Sequence, residues 1–298
     1  MSATTDGGPP RFDYAQAFSR NIGWVTPEEQ ERLRRARVAV GGLGGVGGSH
    51  LLTLARLGIG AFSIADIDAF ELSNLNRQAG ATCSTLGRSK IEVMAGQVRD
   101  INPEVDLRLF PGGVTLENVD EFLEGVDLYM DSLDLFALDV RRRVFARCRE
   151  LGIPALTAAP MGMGTALLVF TPHSMSFEDY FAFDEGPLED QIVRFVIGVS
   201  PTVMQRRYLV FRRSVDFTRQ KVPSIAMGIE IAAGVACTAA LKLLLGRGEV
   251  PVAPRGLHFD AYLNRLRVTW RPWGNRNPLQ RLMYWRVKRM IRAVWGER

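Results

Sequence analysis

Cysteine and histidine are scarce in this chain of 298 residues, which has only three of each. Neither type forms a cluster at the short spacings that ligate a metal ion. Because three isolated thiols cannot build a tetrahedral thiolate site, we expect no structural zinc. No motif suggests a Ser-His-Asp arrangement. Unpaired cysteines and the lack of a recognisable secretory signal favour a reducing compartment, so we expect a cytoplasmic protein.

A long uninterrupted hydrophobic run is also missing. Residues 225–245 are strongly apolar, but Glu230 and Lys242 interrupt them and leave 11 residues between the two charges. A helix needs roughly 20 such residues to cross a bilayer, so this segment predicts a buried helix. With 47% hydrophobic residues, the chain can form one large α/β domain with an appendage.

A glycine-rich turn is the first feature that points to chemistry. Residues 38–40 form a short apolar β-type run, and residues 50–57 have the composition of a helix. Between them lies a G-x-G-G-x-G pattern made by Gly42, Gly44, Gly45 and Gly47. A strand, a glycine turn and a helix in this order let the backbone approach a phosphate at the start of the helix. A tight turn that binds no ligand is the alternative.

A second short strand follows the turn and ends at an acid. Asp66 follows the apolar residues 61–65, about 20 residues after the glycines, where a carboxylate can reach ribose hydroxyls. This pattern alone would suit NAD equally well. Residues 74–78 are rich in side-chain donors, and Arg77 with Lys90 can neutralise phosphate oxygens. Such cations favour phosphoryl or nucleotidyl transfer, unless both are solvated surface charges.

A further acidic segment, DSLD at residues 131–134, follows a predicted strand over residues 126–130. Carboxylates at the C-terminal end of a parallel strand lie where such sheets bind ligands. Because Mg²⁺ usually takes one or two carboxylates together with phosphate oxygens, Asp134 is the candidate metal ligand. Helix capping by Asp131 or Asp134 is the alternative.

The order of elements predicts the fold class. From residue 38 to about residue 170, apolar strands alternate with helical patterns, which is typical of βαβ units. We therefore predict an α/β fold with a Rossmann-like, doubly wound, mainly parallel sheet and helices on both faces. Residues 152–172 indicate a strand, a glycine turn and a second strand, where the sheet could change direction.

The last segment of the chain predicts a basic amphipathic helix. From residue 278 onward, apolar residues recur at helical spacing, namely Leu279, Leu282, Met283, Val287, Met290, Ile291, Val294 and Trp295. Such a helix can dock on its own domain or on a second subunit. It can also lie on an anionic membrane surface or contact an acidic partner, and nucleic acid is a third alternative.

Together the motifs resemble the ThiF/MoeB/HesA group, the bacterial relatives of ubiquitin-activating enzymes. They comprise GLGGVG, Asp66 with Asp68, SNLNRQ at residues 73–78, Lys90, INP at residues 101–103, and DSLD. The resemblance covers roughly residues 20–170 and 223–247. It implies adenylation, in which a carboxylate attacks the α-phosphorus of magnesium-ATP and gives an acyl-adenylate and pyrophosphate.

The resemblance also implies a nucleotide site in this chain. Besides the four glycines, its implied members are Asp66, Asp68, Asn74, Arg77, Gln78 and Lys90. Asp66 would bind the ribose, and Asn74, Arg77 and Lys90 the phosphates. Asp134 would hold the magnesium ion, and it would share the catalytic role with Arg77 and Lys90.

A homodimer and a domain division are implied as well. In the family an N-terminal arginine often reaches the partner's site, and Arg20 is the match here. We expect a disordered N-terminal segment over residues 1–19, an adenylation domain over 20–250, and a C-terminal extension with the basic helix over 251–298.

The chain departs from the family pattern at four points. The paired cysteines that hold zinc in many members are missing, and residues 171–200 lack the cysteine that would accept the acyl group as a thioester. Leu135 stands where an asparagine usually follows Asp134, and about two extra residues precede Arg141. The missing thioester cysteine favours adenylation followed by transfer to an external nucleophile, whereas Leu135 and the extra residues concern the geometry at the metal and phosphates.

The substrate is left open at this stage. We expect the C-terminus of a ubiquitin-like carrier protein or of a peptide. A carboxylate on tRNA, as in the threonylcarbamoyladenosine dehydratases, is the main alternative. An NAD(P)-dependent oxidoreductase and a catalytically silent scaffold are the others.

Overall fold

One eight-stranded sheet runs through the part of the chain that the computed structural model describes, which is residues 11–183, 187–211, 214 and 222–295. The strands are β1 Arg37–Gly41, β2 Ala61–Ala65, β3 Asp106–Phe110, β4 Leu128–Asp131, β5 Ala155–Pro160, β6 Gly164–Phe170, β7 Arg255–Asp260 and β8 Arg265–Trp270. Their spatial order is β3-β2-β1-β4-β5-β6-β7-β8. Strands β1 to β5 are parallel, and β6 to β8 join in antiparallel pairs. The predicted mainly parallel sheet is therefore confirmed.

Helices cover both faces of this sheet. Within the described residues they are α1 Tyr14–Ala17, α2 Pro27–Arg35, α3 Gly45–Leu57, α4 Lys90–Ile101, α5 Val119–Phe122, α6 Leu138–Leu151, α7 Phe177–Phe181, α8 Leu188–Val199, α9 Ala226–Leu245 and α10 Pro278–Trp295. Helices α3, α4 and α9 pack on one face, and α5 to α8 contribute to the core on the other. This arrangement confirms the doubly wound, Rossmann-like fold.

The alternation of side chains along β1 explains why both faces are buried. Val38 and Val40 belong to the core beneath α3 and α9, whereas Ala39 belongs to the opposite core with Tyr129 of β4. A parallel strand that is covered by helices on both sides has apolar residues in succession. The order of strands reverses at β1, because β2 and β3 lie on one side of it and β4 and β5 on the other. Loops diverge at such a point and leave a crevice at the carboxyl ends of the strands.

The sheet changes direction between β5 and β6, where the glycine turn was predicted. The N–H of Met161 donates to the carbonyl of Gly164 at 2.9 Å, and Gly162 has a φ of +63°. Strands β7 and β8 then extend the same sheet, since Leu257 pairs with both Leu167 and Val268. The expected boundary at residue 250 therefore does not separate two sheets.

The expected disordered segment over residues 1–19 needs a correction for its second half. Residues 1–10 lie outside the described residues. Asp13 caps α1, Tyr14 is buried, and Gln30 of α2 donates to the hydroxyl of Tyr14 at 3.0 Å. Phe18 is buried as well, so two aromatic side chains fix this segment to the domain.

Helix α9 is the apolar segment 225–245 of the sequence. Of the helices described, it is the one that could cross a membrane by its length and composition, and half of its most apolar window is buried. It packs on α3, β5 and β6. Its apolar character fits the core layer that it forms.

The predicted C-terminal helix is present as α10 and packs on α8. Gln280 is buried, and its Nε2 donates to the carbonyl of Ile197 at 3.0 Å. Lys288 pairs with Asp190 of α8 at 2.6 Å. One face of α10 therefore docks on its own domain, which was one of the alternatives for this helix. The side chains of residues 290–295, which the sequence pattern included, lie outside the described part.

Candidate nucleotide site

The glycine turn lies at the point where the strand order reverses. The N–H of Gly42 donates to the carbonyl of Ala65 at 2.8 Å, which ties the end of β1 to the end of β2. Gly42 has a φ of +88°, and a Cβ there would lie 2.3 Å from the carbonyl oxygen of Ser132. A Cβ on Gly47 would lie 1.9 Å from the carbonyl oxygen of Gly42. Glycine is therefore required at both positions.

Gly44 and Gly45 present the start of α3 to the crevice. Gly44 is the N-cap of this helix, and no side chain caps it. The first N–H groups of a helix have no partner within the helix, and together with the helix dipole they favour an anion. The start of α3 thus has free N–H groups at the predicted turn, and phosphate binding there stays a prediction.

Asp66 lies directly after β2 and holds the turn. Its Oδ2 accepts the N–H of Leu43 at 2.6 Å, and its Oδ1 accepts the N–H of Asp68 at 2.8 Å. The carboxylate is therefore positioned at the carboxyl ends of β1 and β2. Its contact with a ribose stays a prediction.

Lys90 begins α4 and reaches back to the same loop. Its Nζ lies 2.8 Å from Oδ2 of Asp68, and its backbone N–H donates to the carbonyl of Asp68 at 2.9 Å. The lysine side chain is 7% exposed, whereas that of Asp68 is 60% exposed. A mostly buried ammonium group is thus held at the edge of the site by an exposed carboxylate.

The segment SNLNRQ folds over the start of α3. Asn74 is buried and its Oδ1 accepts the N–H of Glu71 at 3.0 Å. Arg77 donates from Nη1 to the carbonyl of Ser73 at 2.8 Å. A Cβ on Gly45 would lie 4.0 Å from Cγ of Arg77, so this arginine lies beside the glycine turn.

Gln78 lies beside Gly44 of the same turn. It is buried, and its Oε1 has no hydrogen-bond partner among the described residues. Its Nε2 would lie 3.7 Å from a Cβ on Gly44. A buried amide oxygen without a partner is costly unless a ligand or water satisfies it. The structure thus brings the glycines, Arg77 and Gln78 together.

Asp134 follows β4 in an exposed position. Its Oδ1 accepts the N–H of Phe136 at 2.9 Å, and its carbonyl accepts the N–H of Ala137 at 3.0 Å just before α6. Helix α6 begins after Ala137, which no side chain caps, so the capping alternative is wrong for this helix and Asp134 is an exposed carboxylate in the preceding turn. No cluster of three or more metal-ligating side chains occurs within the described ranges. An octahedral Mg²⁺ with one protein carboxylate fits this donor set, because nucleotide phosphates and water supply its other ligands.

Two contacts beside the site were not predicted from the sequence. Asp131 and Arg141 form a buried ion pair at 2.9 Å. Nδ1 of His50 lies 3.1 Å from Oγ of Ser132, and burial lowers the pKa of His50 to about 3. The neutral imidazole therefore ties α3 to the loop that carries Asp134. The sequence signal for this contact was His50 itself, a polar residue in the largely apolar sequence of α3.

The structure does not bring Arg20 to the glycine turn of its own chain. Arg20 is exposed in a 3₁₀ turn over Ser19–Asn21. The side chain of Asn21 donates to the carbonyl of Leu57 at 3.1 Å, at the C-terminal end of α3. The glycine turn is at the other end of that helix, about 20 Å away. Action on a partner's site stays a prediction.

The fold and this crevice define a Rossmann-type nucleotide-binding protein. The chain matches the ThiF family over residues 18–281, and it belongs to that family. Similar curated proteins include the tRNA threonylcarbamoyladenosine dehydratase of Haemophilus influenzae, 34% identical over 50% of this chain and 57% of that protein. The sulfur carrier protein ThiS adenylyltransferase of Escherichia coli is 34% identical over 50% of this chain and 58% of its own length. The chain thus spans a little over half the length of these two relatives.

Solved structures agree on the fold. The crystal structure of Escherichia coli MccB with ATP superposes with a TM-score of 0.64 at 18% identity, and the match covers 85% of this chain and 70% of MccB. The resemblance to the ThiF group that the sequence motifs indicated is therefore confirmed, as is the fold class.

Proposed function

We propose that this protein uses ATP to adenylate a carboxylate. The observation that carries the proposal is the glycine turn after β1, with Arg77 beside Gly45 and with Gln78, whose buried Oε1 has no partner among the described residues, beside Gly44. Membership of the ThiF family supports this function, and so does the ATP in the crystal structure of MccB, which has the same fold. The oxidoreductase alternative gains no such support.

The reaction forms one bond and breaks another. A carboxylate oxygen of the substrate attacks the α-phosphorus, the bond from that phosphorus to the bridging oxygen breaks, and pyrophosphate leaves. The N–H groups at the start of α3 would hold phosphate oxygens. Negative charge grows on the leaving pyrophosphate, so Arg77 and Lys90 would stabilise the transition state. Bound Mg²⁺, held by Asp134, would neutralise phosphate charge.

We further propose that the acyl-adenylate passes directly to an external nucleophile. Residues 171–200 contain no cysteine that could form a thioester after adenylation. Among the substrates, we favour the C-terminus of a ubiquitin-like carrier protein or peptide. The name of the ThiS adenylyltransferase supports that class, and the name of the tRNA dehydratase supports modified tRNA as the second candidate.

Pyrophosphate exchange tests the reaction and separates the substrates. Exchange of labelled pyrophosphate into ATP should require one carboxylate class, either a carrier protein or peptide, or tRNA that carries threonylcarbamoyladenosine. We expect Arg77→Ala to lower the exchange rate by about 100-fold, because one transition-state donor is lost. Arg99→Ala changes an exposed arginine of α4 and serves as the matched control. An unchanged rate in Arg77→Ala would refute the assigned role.

Calorimetric titration tests the nucleotide itself. Magnesium-ATP should bind the wild-type protein, and Arg77→Ala should weaken binding while the thermal midpoint stays constant. NAD and NADP should not bind. Binding of a dinucleotide without binding of ATP would overturn the adenylation proposal.

A further inference from the structure

The outward side of α10 is amphipathic, although the helix is already docked on α8. Gln280, Met283, Tyr284, Val287 and Lys288 lie on the side that is buried or half-buried against the domain. Leu279 is 67% exposed, Leu282 45% and Trp285 57%. Since the two sets lie on opposite sides of the helix, docking on α8 does not explain this second apolar set.

Arginines frame this exposed apolar set. We define the outer face of α10 by six of its exposed residues, which are Leu279, Arg281, Leu282, Trp285, Arg286 and Arg289. The guanidinium of Arg289 lies over the ring of Trp285 at 5.5 Å. The outer face thus combines large apolar side chains with three cations at helical spacing.

The positive charge of the chain is concentrated in the same region. Residues 261–296 contain nine lysines and arginines and no aspartate or glutamate, whereas the whole chain has a net charge of +5. The remainder of the chain is therefore net negative. A field of this kind attracts an anionic surface over a distance of about one Debye length.

Exposed tryptophans also lie in this basic region of the chain. Trp270 is 63% exposed and Trp273 is 66% exposed, and both lie on the segment that leads into α10. Indole rings are enriched where an apolar layer meets water and headgroups. Large exposed indoles beside arginines are therefore suited to a lipid interface.

We propose that the outer face of α10 binds an anionic lipid surface. Leu279, Leu282 and Trp285 insert at the boundary of headgroups and acyl chains, and the arginines contact lipid phosphates. A second copy of the chain would bring two positive surfaces together, so charge opposes it. Nucleic acid would satisfy the arginines but would leave the leucines in water. The lipid surface satisfies both sets.

Vesicle sedimentation of the full chain tests the proposal. We expect binding to vesicles that contain phosphatidylglycerol and none to vesicles of phosphatidylcholine alone. The triple variant Arg281→Gln, Arg286→Gln, Arg289→Gln should bind about 100-fold more weakly, at about fivefold for each charge. Leu282→Ala with Trp285→Ala should weaken binding about tenfold or more. Trp24→Ala removes an indole that is 85% exposed outside this region, and it should bind like wild type.

Three results would overturn the proposal. The first is equal sedimentation with both vesicle types, or with neither. The second is binding to tRNA that the triple variant loses, in a protein that does not bind vesicles. The third is a wild-type dimer that the Leu282→Glu substitution dissociates, when the same variant still binds vesicles. All of the substituted side chains are exposed, and an unchanged thermal midpoint checks that each variant is folded.

Discussion

At the scale of single residues, the glycine turn owes its shape to missing side chains. Gly47 faces the carbonyl of Gly42 so closely that a methyl group would require the backbone to move. Gly96 also lies within a helix, but a Cβ there would meet open space. These two glycines therefore form a matched pair in which the same substitution has opposite consequences.

We predict that Gly47→Ala destabilises the protein by about 1–3 kcal/mol, the range for overpacking. It should also weaken ATP binding about tenfold or more, because the turn must open to admit the methyl group. Gly96→Ala should raise stability by about 1 kcal/mol, through its better helix propensity. Urea unfolding and calorimetry measure both effects. Normal ATP affinity in Gly47→Ala would mean that the turn does not contact the nucleotide.

His50 makes the stability of the domain sensitive to acid. Burial lowers its pKa to about 3 in the folded protein, whereas an unfolded histidine titrates near 6.5. The unfolded state therefore binds the proton first, and stability is lost as the pH falls from about 6.5 towards 3. At pH 5 the loss from this residue is about 2 kcal/mol.

We expect His50→Gln to remove that part of the pH dependence. The free energy of unfolding, measured by urea at pH 7 and pH 5, should change less in the variant than in wild type. His258 is another buried histidine, and burial lowers its pKa to about 4. Its contribution to the pH dependence of stability should remain in the variant. A variant with an unchanged slope between these pH values would show that His50 is not the group responsible.

The sequence predicted the residues of the turn better than their partners. The glycines, Asp66, Arg77 and Lys90 lie in short local patterns whose spacing by itself predicts a nucleotide site. The pairs His50–Ser132 and Asp131–Arg141 depend on packing between elements, which no local spacing encodes. Gln78 was predicted only as one of the donors in residues 74–78 and as part of the family motif, yet its amide oxygen is buried and has no partner among the described residues.

At the scale of elements, the alternation of strands and helices was sufficient to predict the parallel half of the sheet. The antiparallel half was only partly predictable. In β8 the first four of six residues, Arg265 to Val268, are all exposed. The alternation of buried and exposed residues that identifies a half-buried strand is therefore missing there. For α10 the helix was predictable, but not its docked side, since Leu279 and Leu282 are as apolar as Met283 and Val287.

Gln280 fixes the side of α10 that docks. Its Nε2 donates to the carbonyl of Ile197 and to Oδ1 of Asn275, at 3.0 and 3.2 Å. We predict that Gln280→Ala costs about 1–3 kcal/mol, because it leaves these buried acceptors without that donor. The adjacent Arg281→Ala, on the exposed side, should change stability by less than about 0.5 kcal/mol. Equal effects of the two substitutions in urea unfolding would contradict this orientation of the helix.

At the scale of the whole molecule, the position of Arg20 has a consequence for assembly. It lies at the end of α3 remote from the glycine turn, so it can serve catalysis only at the site of another subunit. A two-fold dimer would place one such arginine at each of two sites. This idea predicts a pattern of complementation that a structural role for Arg20 would not produce.

We predict that Arg20→Ala and Lys90→Ala are each inactive in pyrophosphate exchange, but that a mixture of the two regains activity. In a mixed dimer, the site on the Arg20→Ala subunit keeps its own lysine and receives the arginine of the Lys90→Ala partner. Random pairing then restores about a quarter of the wild-type rate. Sedimentation should show a dimer for every variant. If the mixture stays inactive although subunits exchange, Arg20 does not act across the interface, and the exposed 3₁₀ turn must have another role.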